Sequence, residues 1–222
     1  MIAAVVPVKR LDEAKGRLAA LFPPDERSRL ALAMLEDVLR ALQAVPRIEL
    51  VAVVSPDDAA LRRARELAAE PLPEPPLCRG VNQALTHASS LLAGRGADAV
   101  LVVAADLPLA SPADIEAVLD ALPQRGIAIA PTHDRGTGAL ALRPPQVIGF
   151  RYGRHSSVYH KREAVARGLP APVLHLDSLA HDVDEPDDIT HLLGHPAESV
   201  THRLLAELRV SERLGAAVGR AP

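Results

Sequence analysis

Residues 98–106, DAVLVVAAD, constrain the fold more than any other stretch. Seven apolar residues follow one another between two acids, without the alternation that a half-wet strand would show. A strand of this kind is covered on both faces, which requires a layer of structure above it and another below. The runs IAAVVPV (2–8) and IELVAVV (48–54) have the same character. Between such runs the apolar residues recur at three-and-four spacing, which predicts amphipathic helices over 25–42, 55–70, 80–96 and 111–122. Ser55-Pro56 and Ser111-Pro112 read as helix starts, with a capping hydroxyl and a proline in the first turn. PLPEPPL (71–77), with four prolines, reads as a loop. Short strands are expected at 127–131, 139–144 and 171–176, a loop feeding a helix over 148–170, and a terminal helix over 197–215. Strand and helix in alternation predict an α/β fold of three layers with a mostly parallel central sheet. One domain is expected through residue 195, followed by a C-terminal helix and tail over 196–222.

In such sheets ligands bind beyond the carboxyl ends of the strands, where the strand order reverses, so polar residues just after apolar runs are the ones to weigh. After the first run, VVPVKRLDEAKGRL (5–18) places Lys9, Arg10, Lys15 and Arg17 in one loop. Only three of the 25 basic residues are lysines, so two of them six apart is a compositional signal. Such a loop can present ammonium groups and backbone N–H groups to a polyphosphate. It can equally be a solvated charged turn. Asp106 ends the run at 98–106, and Leu107-Pro108 keeps it out of a helix. In HDVDEPDDI (181–189), Asp182 and Asp184 are two apart and project to one side if the segment is extended, while Asp187 and Asp188 suit a first helical turn. One of the earlier pair meeting Asp106 would make a Mg²⁺ site of carboxylates, waters and phosphate oxygens. Turns at 79–85, with Gly80 and Asn82, and at 133–140, with Thr137 and Gly138, could border a base and an acceptor, though each alone is an ordinary turn.

The bulk numbers narrow the classes. A formal charge of −3 argues against a general nucleic-acid or anionic-membrane binder. With two Phe, two Tyr and no Trp, stacking on bases is not its main device. The single Cys78 makes neither an internal disulfide nor a thiolate-rich metal site. No apolar run reaches the ~20 residues of a membrane span, and the N-terminus does not read as a signal peptide, so a cytoplasmic location is expected. There is no glycine-rich dinucleotide fingerprint, P-loop or nucleophile elbow. The nine histidines read as scattered, without the spacing of a zinc site, and most of them as surface or loop residues.

Taken together, VVPVKRLDEAKGRL, RGVNQALTHA, AADLPL, DRGTGALALRP and HDVDEPDDI resemble, in order and separation, the CofC-type guanylyltransferases of deazaflavin coenzyme F-420 biosynthesis. The likeness runs over about residues 2–192. It implies the Rossmann-like nucleotidyltransferase fold that also serves molybdenum-cofactor and sugar-phosphate enzymes. The implied reaction joins GMP from GTP to a small phosphorylated carboxylic acid (2-phospho-L-lactate, phosphoenolpyruvate or 3-phospho-D-glycerate) and releases pyrophosphate. By this resemblance Lys9, Lys15 and Arg17 would meet phosphate, Gly80 and Asn82 would lie near guanosine, and Asp106 with Asp182 or Asp184 would hold Mg²⁺. Thr137, Gly138 and Ser156 would border the acceptor. Relatives often read GTN where this chain has Gly136-Thr137-Gly138, and a GPGS-like turn where it has GRHSS (153–157). Another nucleotidyltransferase of the same fold, or a non-catalytic nucleotide-binding module, is the competing reading. Oligomeric state is left open, a homodimer included.

Overall fold

A computed structural model describes residues 1–195 and 198–218. Its centre is a six-stranded sheet in the order β3-β2-β1-β4-β6-β5. β1 (Ile2–Pro7), β2 (Ile48–Ser55), β3 (Glu70–Pro73) and β4 (Ala99–Val103) pair in parallel. β5 (Gly126–Pro131) and β6 (Thr137–Arg143) form a hairpin, and β6 lies antiparallel to both β4 and β5. The alternation of side chains sorts the core into two layers. Ala4, Val6, Leu101 and Val103 pack toward Leu35, Val38, Ile115 and Val118, which belong to α1 (Pro24–Gln43) and α4 (Pro112–Ala121). Ala3, Val5, Val100 and Val102 face the other way, toward Ala84, Leu85 and Ala88 of α3 (Val81–Gly94) and Ala164 of α5 (Ser156–Ala166). All eight strand residues are fully buried, as their unbroken apolar runs require.

Four expectations shift, three within the sheet and its helices and one at the C-terminal end. The proline-rich 71–77 segment is not all loop, because Glu70–Pro73 is an edge strand paired with β2. Pro71 and Pro73 lie two apart on the outer side of that edge, where a missing N–H breaks no ladder bond. The helix expected over 55–70 is the shorter α2 (Asp58–Glu66), and its cap is Asp57, whose carboxylate accepts from the N–H of Ala59 and Ala60. Ser55 instead ends β2 and accepts from the Asp57 N–H. Residues 171–176 add only an isolated bridge between Ile129 and Val173, since Pro170 and Pro172 lack donors.

The C-terminal segment is two helices rather than one: α7 (Val200–Glu207) and α8 (Val210–Val218), separated at Arg209, whose φ is +51°. Asp37 of α1 caps the start of α7, accepting from Val200 N, Thr201 N and Thr201 Oγ1 at 2.6–2.9 Å. A third apolar cluster joins Leu204, Leu205 and Val210 to Phe22, Met34, Ile189 and Leu192, so α7 and α8 brace α1 and α6 (Pro186–Leu193). No helix among the described residues is long and apolar enough to cross a membrane.

Candidate active site

The connection leaving β1 must run to β2 on one side, whereas β4 lies on the other side of β1. The carboxyl ends of β1 and β4 therefore flank the point where strand order reverses, and the loops leaving them open a crevice. The basic loop follows β1 and Asp106 follows β4, so the topology itself brings these distant segments together.

Residues 9–18 are a pinned loop rather than a free one. Two short 3₁₀ turns, Leu11–Glu13 and Gly16–Leu18, fold it back on itself. Leu11 N donates to Asp57 Oδ2 at 3.0 Å. Arg27 and Ser28 of α1 donate to the Ala14 and Leu11 carbonyls at 3.1 and 3.0 Å. Lys15 stands between the two turns with φ +51°, the left-handed region that costs a non-glycine residue about 1–3 kcal/mol. The result is to turn its side chain inward. Nζ donates to Asp106 Oδ2 at 2.7 Å and to Asp184 Oδ1 at 2.8 Å, and the side chain is only 8% exposed.

The acids meet as the sequence suggested. Asp106, Asp182 and Asp184 each offer an oxygen within 4.8 Å of the other two. Val183 N donates to the Asp106 carbonyl at 3.0 Å, which locks the acidic turn beside the end of β4. At the far end of that turn, Asp188 Oδ2 accepts from Asp184 N and Glu185 N, completing a capping box on α6. Burial alone would lower the Lys15 pKa, but Asp106 and Asp184 outweigh it and hold the ammonium above its ordinary value. Burial would raise Asp184, yet Lys15, Arg17 and Lys9 hold its carboxyl below the usual range. Asp182 has no such partner: burial first, then the negative charge of Asp106, pushes it up to about 7. Arg17 lies at the exposed rim, 3.1 Å from Glu185, and Lys9 is exposed as well.

The remaining residues singled out in the sequence sit differently. Gly80 precedes α3 with φ +80°, a conformation suited to glycine. Asn82 is engaged in a clasp, its Nδ2 donating to the Tyr152 carbonyl at 3.2 Å and its Oδ1 accepting from Tyr152 N at 2.6 Å. It therefore ties the start of α3 to the 148–155 loop. Thr137, Ser156 and His160 form a buried chain: Thr137 Oγ1 is 2.7 Å from Ser156 Oγ and 3.2 Å from His160 Nδ1. His160 Nε2 accepts from Arg151 N at 3.0 Å, so the ring is neutral and Nδ1–H donates to Thr137. Burial lowers this histidine to about 4, consistent with that tautomer. A Cβ at Gly138 would lie 2.1 Å from the Leu179 carbonyl oxygen, so this chain cannot carry an asparagine there without moving the turn before Asp182.

Sequence reasoning missed two features. A cleft beyond the β5–β6 turn is lined by His133, Arg135, Ser157, Lys161, His175 and Asp177. Four histidines, His133, His181, His191 and His195, also gather next to the acidic turn. His191 and His195 are four apart, H-x₃-H, a spacing that was there to be read.

A basic loop and converging carboxylates at the switch point of this sheet define a nucleotidyltransferase. Solved structures share the fold: a protein from Desulfovibrio desulfuricans G20, described as a nucleotide-diphospho-sugar transferase, has a TM-score of 0.79 at 19% identity, with 97% of each chain covered. A nucleotidyl transferase from Methanothermobacter thermautotroptrophicus gives 0.63 at 17% identity, covering 88% of this chain and 97% of its own. The family described as "Guanylyl transferase CofC like" matches residues 2–218, and the chain belongs to it. It is 46% identical to a phosphoenolpyruvate guanylyltransferase of Sphaerobacter thermophilus over 193 residues, 86% of this chain and 92% of that protein. A phosphoenolpyruvate guanylyltransferase of Rubrobacter xylanophilus is 40% identical, with 85% and 92% covered.

Proposed function

We propose that this guanylyltransferase moves GMP from GTP to phosphoenolpyruvate, in the F-420 pathway, with the crevice between β1 and β4 as its active site. The single observation that carries the site is Lys15 held between Asp106 and Asp184. The acceptor follows the names of the relatives. An acceptor phosphate oxygen attacks the α-phosphorus of GTP. The new O–P bond forms as the bond to the β-phosphate bridging oxygen breaks, and pyrophosphate departs with that electron pair.

The obstacle is electrostatic. Two unit negative charges at ~4 Å repel by about 4 kcal/mol at an effective dielectric of ~20, and these phosphates carry more than one charge each. Lys15, fixed by its turn, with Lys9 and Arg17 at the rim, supplies positive charge where the triphosphate lies. A phosphate monoester is already ionised near neutral pH, so no general base is needed. Asp106, Asp182 and Asp184 fit Mg²⁺: they offer hard oxygen donors, and the crowded charge that raises Asp182 is what a divalent cation relieves. When bound there, Mg²⁺ supplies charge neutralisation on the phosphate oxygens. Asp106 and Asp184 also orient Lys15, and the Asn82 clasp fixes Gly80 and the loop beside it, the groups proposed to border guanosine. Through the Thr137–Ser156–His160 chain, the turn at Gly138 is held as the floor of the acceptor side.

The test is pyrophosphate release from each of the four NTPs paired with phosphoenolpyruvate, 2-phospho-L-lactate and 3-phospho-D-glycerate, with product mass. GTP with phosphoenolpyruvate should lead, and Asp106→Asn should slow it about 100-fold, the equivalent of ~2.7 kcal/mol in the barrier. A different preferred pair would replace the substrate assignment, and an undiminished Asp106→Asn would move the site.

A further inference from the structure

We propose that His133, His181 and His191, with His195 at the edge, form a binding site for a transition-metal ion of the zinc type, separate from the carboxylate cluster. Four imidazoles come together from three segments: the β5–β6 turn (His133), the turn after the 3₁₀ segment Asp177–Leu179 (His181), and α6 with its end (His191 and His195). His133 N donates to the Ala180 carbonyl at 3.0 Å, which holds the first two segments in register. Nε2 of His133 and Nε2 of His181 face each other at 2.6 Å. Two neutral rings can share only one proton there, whereas two lone pairs aimed at one point are what a metal takes. Ligands on a tetrahedral zinc at ~2.0–2.1 Å stand roughly 3.3 Å apart, so the pair needs to open by less than ~1 Å.

The other rings supply further donors. His191 stacks on His181 with centroids 3.7 Å apart, and its Nε2 is buried without a hydrogen-bond partner among the described residues. His195 engages Nδ1 with the His191 carbonyl at 3.0 Å, which places the N–H on Nδ1 and the lone pair on Nε2. Unlike the three carboxylates, no three of these imidazoles bring one nitrogen each within 4.8 Å of the others as they stand, so a third ligand requires His191 or His195 to turn about its side-chain torsions. Imidazole nitrogens select Zn²⁺, Ni²⁺ or Cu²⁺, while the oxygens of Asp106, Asp182 and Asp184 suit Mg²⁺, so the two clusters are chemically distinct. An ion on the histidines would clamp the β5–β6 turn to α6 and so steady the acidic turn between them.

The experiment is a Zn²⁺ titration of the full chain by calorimetry with Mg²⁺ in excess, repeated on His133→Ala, His191→Ala, His175→Ala and Asp106→Asn. One Zn²⁺ should bind, at least ~10-fold more weakly in the first two variants and unchanged in the last two. Cu²⁺ added to the unsubstituted chain should give an electron paramagnetic resonance spectrum with hyperfine splitting from more than two nitrogens, a measurement independent of any variant's folding. Absence of binding, loss of binding in Asp106→Asn, indifference to His133→Ala, or a copper spectrum with oxygen ligands alone would each overturn the proposal.

Discussion

Replacing Lys15 with methionine keeps the volume and most of the contacts but removes the charge that separates Asp106 from Asp184. Breaking a buried ion pair by deleting one partner costs about 3–5 kcal/mol, because a charge is left in a poor solvent. Here the carboxylates are 27% and 45% exposed, so water screens part of that loss. Three carboxylate oxygens within 4.8 Å then repel without an internal counter-ion. Asp182, already pushed up to about 7, relieves some of the repulsion by staying protonated. The net expectation is a loss of about 2 kcal/mol in folding stability, read from urea denaturation with an unchanged m-value. Turnover should fall about 100-fold, which corresponds to ~2.7 kcal/mol in the barrier. Pairing Lys15→Met with Asp184→Asn should recover part of the stability but none of the activity, since the double variant has less repulsion and still no ammonium. A Lys15→Met protein as stable and as active as its parent would show that the bridge is incidental and that the basic loop is a solvated turn after all.

Other perturbations read other parts of the structure. Gly138→Ala forces a Cβ against the Leu179 carbonyl and should cost about 1–3 kcal/mol in thermal or urea unfolding, with reduced turnover because the displaced turn leads into Asp182. His160 is held near 4 when folded and titrates near ~6.5 when unfolded, so the unfolded chain binds more protons between those values. Stability should therefore rise with pH across that window and be lost as pH falls through it, by up to about 3 kcal/mol; His160→Asn should flatten this slope in pH-dependent unfolding. Asp37→Ala strips three donors of their acceptor at the start of α7 and should lower stability by about 2 kcal/mol while leaving the active-site loops in place, checked by denaturation and by turnover of the folded fraction.

The sheet was legible because its strands are buried on both faces. Unbroken apolar runs such as 98–106 have one reading, and Ser111-Pro112 marked a helix start that the structure keeps, with Ser111 accepting from Asp114 N. Where the reading slipped, two local signals competed. Ser55-Pro56 looks like Ser111-Pro112, yet the β2 ladder extends through Ser55, and Asp57, two residues on, is the better-placed acceptor. Prolines at 71 and 73 spoke for a loop because composition does not tell an edge strand from a turn. The break at Arg209 has no proline or glycine to announce it; its left-handed backbone is imposed by docking α7 and α8 onto α1.

The site divides along the same physical line. Charge attraction across the switch point depends on topology and on residue type, so the basic loop, Asp106 and the 182–184 turn could be weighed as one site from the sequence; the family resemblance joined Lys15 to the acids, and which acid it meets was left to packing. Hydrogen-bond satisfaction depends on which neighbour arrives first, and that is set by packing. Asn82 reads as a group free to meet a base, but Tyr152 of a loop 70 residues away uses both ends of its amide. Thr137 and Ser156 read as acceptor-facing hydroxyls, and His160, an unremarked helix residue, draws them into a buried chain instead. If that chain positions the acceptor turn rather than touching substrate, Thr137→Val should change KM for the acceptor and the pH profile of stability together. A hydroxyl that bonds substrate directly would instead change KM alone, and steady-state kinetics beside pH-dependent unfolding of the same variant separates the two.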